Sequence, residues 1–109
     1  MNIPTFTADE LEFDKVVVFN TAHITEDDDK LLTRNQSEEL IIDSFDYGFR
    51  VFIPQYDEDD FNAVVENARK EGFSEDFCTL FHIARQHEAN WMKLDCDGQI
   101  YEKLPEHNW

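Results

Sequence analysis

Asp95, Cys96 and Asp97, followed by Gly98, are the residues whose types and spacing come closest to catalytic chemistry. Two aspartates one residue apart can act as nucleophile and proton carrier in phosphate-ester hydrolysis, with Mg²⁺ bridging to the phosphate. That chemistry is built at the end of the first strand of a large α/β sheet, yet only eleven residues follow Gly98. Asp-Gly between apolar runs reads instead as a tight turn. Counted as a calcium loop from Asp95, the twelfth position is Glu106, which lies beyond Pro105 and outside any loop that could close on an ion.

Other candidates fare no better. Cys78 and His82 are four apart and could offer two ligands from one helix face, but a structural zinc site needs two more. Beside Phe77 and Phe81, Cys78 reads as a small buried hydrophobe. His23 lies between a strand and a helix, and no Ser or Cys nucleophile has an assignable partner for it, so it reads as a hydrogen-bonded structural residue. The three glycines, at 48, 72 and 98, form no phosphate loop. A metal-dependent enzyme could gather scattered carboxylates, but a nuclease of that kind must also grip a polyanion. We therefore expect no catalytic residue, no metal and no cofactor.

The abundant chemistry is negative charge. Twenty-five Asp and Glu face nine Lys and Arg in 109 residues, a formal net charge of -16. Residues 1–60 hold 16 acids and 4 bases, and residues 61–109 hold 9 and 5. Direct binding of DNA, RNA or an anionic membrane needs clustered positive charge and is excluded on this ground. Three acidic clusters stand out: Glu26 to Asp29, Asp57 to Asp60, and Glu75-Asp76. Each falls in the first turn of a predicted helix, where one or two carboxylates offset the macrodipole and cap free N–H groups. Four in a row exceed that need, because neighbouring like charges repel. The contact surface for a basic partner is therefore expected at Asp27, Asp28, Asp29, Asp57, Glu58, Asp59 and Asp60, with Tyr56 and Tyr47 as aromatic anchors or, for Tyr47, core.

The elements that must position these groups follow from periodicity. Residues 1–14 read as a loosely packed acidic lead-in. Lys15 to Asn20 is nearly continuous and β-branched, as in a strand buried on both faces. Thr25 caps a helix from Glu26 to about Arg34. Leu40 to Phe45 and Phe49 to Ile53 flank Asp46-Tyr47-Gly48 as a hairpin. Phe61, Val64, Val65 and Ala68 mark a helix ending at Gly72, and Phe77, Leu80, Phe81 and Ala84 mark another, capped by Ser74. Trp91 to Leu94 and Gln99 to Leu104 form a second predicted hairpin. The order β-α-β-β-α-α-β-β implies a single α+β domain over 1–109, an antiparallel or mixed sheet with helices packed on one face.

Leu, Ile, Val and Phe number 30 of 109, above the roughly 20 % that marks disordered chains, so the charge is carried on a folded domain. No apolar run reaches the length of a membrane span, the start lacks a signal-peptide pattern, and two cysteines are too few for a disulfide framework. A cytoplasmic protein with reduced thiols is expected.

The stretch Val16 to Thr25 followed by Leu31-Leu32, together with Leu94 to Gly98, Leu104-Pro105 and Trp109, resembles a family of small uncharacterised bacterial proteins. The resemblance implies carriage on plasmids, integrated elements and phages, whose small acidic proteins often blunt restriction or CRISPR defences. The combined expectation is a nucleic-acid mimic of anti-CRISPR or anti-restriction type that occupies a basic, nucleic-acid-binding protein. An immunity-type protein neutralising a basic toxin or nuclease is the alternative from the same electrostatics, and a carboxylate-based metal enzyme is the alternative from chemistry.

Sixteen uncompensated charges repel one another across a small molecule, so screening should stabilise it. The thermal midpoint is expected to rise with salt between low and physiological ionic strength. A midpoint that stays constant would mean that the charges are locally paired.

Overall fold

A computed structural model describes residues 2–109. Strands Val16–Asn20 (β1), Ile42–Phe45 (β2), Gly48–Phe52 (β3) and Trp91–Asp95 (β4) make one sheet in the order β1-β4-β3-β2. β1 runs parallel to β4, whereas β4–β3 and β3–β2 are antiparallel, so the α+β domain has a mixed sheet. Helices Glu26–Arg34 (α1), Glu58–Lys70 (α2) and Glu75–Gln86 (α3) supply the covering layer. Phe19, Ile42, Phe49, Val51, Met92 and Leu94 from one face of the sheet share a single core with Leu32 of α1, Phe61 and Val65 of α2, and Phe77, Leu80 and Phe81 of α3. Among the described residues no helix is long and apolar enough to cross a membrane.

Local chemistry explains the three helix starts and the first hairpin. The hydroxyls of Thr25 and Ser74 accept from the backbone N–H of Asp28 and Phe77, and the Asp57 carboxylate accepts from that of Asp60. The hairpin between β2 and β3 turns at Asp46-Tyr47 and needs glycine at 48. A Cβ there would lie 1.8 Å from the Leu94 carbonyl oxygen on the neighbouring strand. Only glycine lets the backbones approach so closely.

The second predicted hairpin is not formed. A turn is present, with the Asp95 carboxylate accepting from Asp97 N–H and Gly98 N–H donating to the Asp95 carbonyl. Residues 99–104 then leave the sheet without becoming a strand. The reason is topological: β4 already has β1 on one side and β3 on the other, so neither edge can accept a returning partner. The tail instead crosses to the loop after β1. The Asn20 amide donates to the carbonyls of Cys96 and Gly98. Buried His23 accepts at Nε2 from Tyr101 N–H and donates from Nδ1 to the Pro105 carbonyl, so a tautomer protonated at Nδ1 meets both bonds. Tyr101 Oη donates to the Val18 carbonyl, and Trp109 Nε1 donates to that of Ile24.

Asp28 corrects the sequence reading. It is fully buried and offers nothing to a partner. Its carboxylate accepts from the backbone N–H of Thr25 at 3.0 Å, the backbone N–H of Ser74 at 2.8 Å and the Ser74 hydroxyl at 2.5 Å. One buried charge thus ties the start of α1 to the start of α3, and it is tolerated because three donors replace water.

Hydrogen bonds to a charged group contribute about 1.5–3 kcal/mol each, and stranded buried donors cost more. Asp28→Ala is expected to lower unfolding free energy by about 3 kcal/mol or more in chemical denaturation. A loss below about 1 kcal/mol would show that the carboxylate is dispensable.

Candidate protein-interaction surface

Strand direction decides where the acids lie. Asn20 pairs with Asp95, Asp95 with Gly48 and Gly48 with Phe45, so these residues mark one end of the sheet. The loop after β1, the Asp46-Tyr47 turn, the turn after β4 and the start of α1 all open at that end. The start of α3 joins them through the Asp28–Ser74 contact. α2 begins six residues after Phe52, which pairs with Trp91 at the opposite end. The clusters at Asp27–Asp29 and Asp57–Asp60 therefore do not form one face.

At the first end, Asp27, Asp46 and Asp97 are exposed and Asp29 is half-buried. A shallow depression there is lined by Thr21, Asp29, Asp46, Tyr47, Cys96 and Trp109. Tyr47 and Trp109 remain 59 % and 49 % exposed, giving two aromatic groups among the carboxylates. Tyr47 is thus a surface residue, not core. Burial and, second, the nearby Glu26 carboxylate push the Asp29 carboxyl above its ordinary range. Taking the carboxylate partly out of water penalises its charged form, and Glu26 adds to that penalty.

Asp57, Glu58, Asp59 and Asp60 are all exposed at the other end, beside Tyr56 at 54 % exposure. The Tyr56 carbonyl accepts from Arg85, which brings a cation into this neighbourhood. Sequence reasoning missed Asp46 and Trp109 as neighbours of Asp29, and Asp97 at the same end of the sheet. The available signal was the position of Asp46 and Asp97 in turns, since adjacency depends on strand order.

The catalytic candidates are occupied by structural duties. Both His23 ring nitrogens are bonded to the tail. Cys78 is buried, and burial raises its thiol pKa, while the His82 ring packs edge-on against Phe61. Asp95, Cys96 and Asp97 could each offer one metal-ligating atom within 4.8 Å of the others. Asp95 already accepts from Asp97 N–H and lies 3.4 Å from the Lys93 ammonium, an arrangement that suits the turn.

Residues 16–109 match the model of a family of unknown function, DUF5983, C-terminal domain. The chain belongs to this family. No curated protein and no solved structure matches it. In this DUF5983 domain the match begins at the first residue of β1 and runs to Trp109, so it takes in both segments that Asn20 and His23 hold together.

A raised carboxyl pKa in the folded state means that ionising Asp29 works against folding. Its favourable contribution is complete below the unfolded value and is lost as pH rises through the folded one. Asp29→Asn should therefore gain stability relative to the parent as pH rises across the carboxylate range, with the two proteins closest at acid pH. Denaturant unfolding over a pH series measures this; a constant difference would refute the raised carboxyl pKa.

Proposed function

We propose that this domain is a non-enzymatic acidic module that occupies the nucleic-acid site of a basic partner, a DNA- or RNA-binding protein of a bacterial restriction or CRISPR-type defence. The observation that carries the reading is the depression in which Asp29 and Asp46 meet half-exposed Tyr47 and Trp109, with exposed Asp27 and Asp97 at the same end of the sheet. Carriage on plasmids, integrated elements and phages belongs to the same reading.

Density matters to mimicry. The surface measures 7433 Å², so a net charge of -16 spread evenly is about one charge per 460 Å². B-DNA carries one charge per ~1.7 Å of axis, roughly one per 107 Å² on a cylinder of about 10 Å radius. Only a local concentration of carboxylates approaches that value, and Asp29 and Asp46 in one depression, with Asp27 and Asp97 at the same end, support that reading. The aromatic groups add what phosphate rows lack: rigid, partly apolar anchors suited to a protein surface. Electrostatic complementarity would speed encounter with a basic groove, and Tyr47 and Trp109 would slow release.

An immunity-type role against a basic toxin would use the same surface. Competition separates the two, because a mimic is displaced by excess duplex or single-stranded nucleic acid when that is the partner's ordinary ligand.

The test is capture of partners from the host on immobilised protein, followed by binding measurements with two multiple variants. Replacing Asp27, Asp29, Asp46 and Asp97 with Asn is expected to weaken binding by orders of magnitude and flatten its salt dependence. Replacing Glu58, Asp59, Asp60 and Glu66 with their amides removes the same charge and should matter far less. Equal losses would mean that net charge alone acts; loss only in the second set would move the site to the other end of the sheet.

A further inference from the structure

The helices cover one face of the sheet and leave the other bare. That bare face carries Val16 and Val18 of β1, Phe45 of β2, Phe52 of β3 and Trp91 of β4, all exposed or half-buried. Phe52 and Trp91 meet edge to face at 5.2 Å. Two cations lie on these rings: the Arg50 guanidinium 4.4 Å from the centre of Trp91 and the Lys93 ammonium 5.0 Å from that of Phe45. Each has one acidic neighbour, Asp43 for Arg50 and Asp95 for Lys93, and retains further donors. In a chain with nine cations and twenty-five acids, this apolar face is close to charge balance, Arg50 and Lys93 standing beside Asp43 and Asp95, and so differs from the acidic remainder of the surface.

The lead-in has the complementary chemistry. Residues 2–14 hold Asp9, Glu10, Glu12 and Asp14, and no Lys or Arg. They also hold Ile3, Phe6, Leu11 and Phe13, exposed by 79, 57, 43 and 69 %. All of these residues are exposed, so the segment finds no packing in its own molecule. Its exit point is fixed. Lys15 donates through Nζ to the His87 carbonyl and through its backbone to the Asn90 side chain, while its carbonyl accepts from Asn90 and Trp91 N–H. The lead-in therefore leaves at the border of the bare face, beside Val16 and its partner Trp91.

We propose that the bare face receives the lead-in of a second copy, so that two chains exchange residues 2–14 across a twofold axis. Phe6 and Phe13 then cover the Val16–Trp91–Phe52 surface, and the lead-in carboxylates meet Arg50 and Lys93. The exchange puts acids from each chain against scarce cations of the other, offsetting the repulsion between two strongly negative molecules. Thirteen lead-in residues together with seven on the face give about twenty residues a side, the lower bound of a stable interface.

Sedimentation equilibrium of the full chain over a wide concentration range tests this. A monomer–dimer equilibrium is expected, absent after deletion of residues 2–14. Phe6→Ser with Phe13→Ser changes only exposed side chains, so it leaves the fold intact; it should raise the dimer dissociation constant about tenfold or more. Arg50→Glu with Lys93→Glu should do the same, and mixing that variant with Glu10→Lys, Glu12→Lys chains should restore a heterodimer. A full chain that stays monomeric, including one whose lead-in protects its own face in hydrogen exchange, overturns the proposal. So does a dimer that survives the deletion.

Discussion

Five residue pairs, from Val16↔Trp91 to Asn20↔Asp95, set β1 beside β4 in parallel and join segments 75 residues apart. Almost everything about the molecule's surface depends on that pairing. Because the strands run the same way, both end at one edge of the fold, and the chain must re-enter from there as α1 and as the tail. With β3 on its other side, β4 has no free edge, so the tail is driven across the loop after β1. Asn20, His23 and the backbone of Ala22 and Ile24 receive it through side-chain and backbone bonds. Asp28 then draws the start of α3 to the start of α1. The carboxylates at this end are neighbours because of these constraints, not because they are close in sequence.

The helices were legible from sequence because their signals are local. Thr25, Asp57 and Ser74 announce the three starts, and the i, i+3, i+4 spacing of Phe61, Val65 and Ala68 or Phe77, Leu80 and Phe81 announces the buried faces. The Asp46-Tyr47 hairpin was legible for the same reason. Strand order was not, since alternating apolar residues say which face is buried but not which strand lies alongside. The tail was misread on that account: Cys96-Asp97-Gly98 makes a turn as its composition requires, yet a hairpin also needs a vacant edge. Asp28 was misread for a related reason. Its place in a run of four acids suggested exposure, whereas the 3.6-residue period turns it inward between Asp27 and Asp29, toward Ser74 of another helix.

Charge is thus divided between duties. Some carboxylates hold the fold: Asp28 in the interior, Asp57 as a cap, Glu71 accepting from the Ser37 hydroxyl and Glu38 N–H, and Asp95 in its turn. Others, such as Asp27, Asp46 and Asp97, have side chains with no hydrogen bond or ion pair among the described residues and stand exposed, where a basic surface could reach them. The two ends of the sheet are both acidic, and the first sets Asp29 and Asp46 in one depression with Tyr47 of a turn and Trp109 of the tail. The bare sheet face, with its cations over rings, is a third and chemically distinct surface. The two proposed contacts, one to a basic protein and one between copies, would use different parts of this small domain.

Zero-length carbodiimide cross-linking of the captured complex tests the central claim most directly, because it joins carboxylates to lysines only where the two touch. Mass spectrometry should find partner lysines joined to Asp27, Asp29, Asp46 or Asp97 and should leave Asp57 to Asp60 free. Cross-links confined to the Asp57–Asp60 end, or scattered without preference over all exposed acids, would contradict the account.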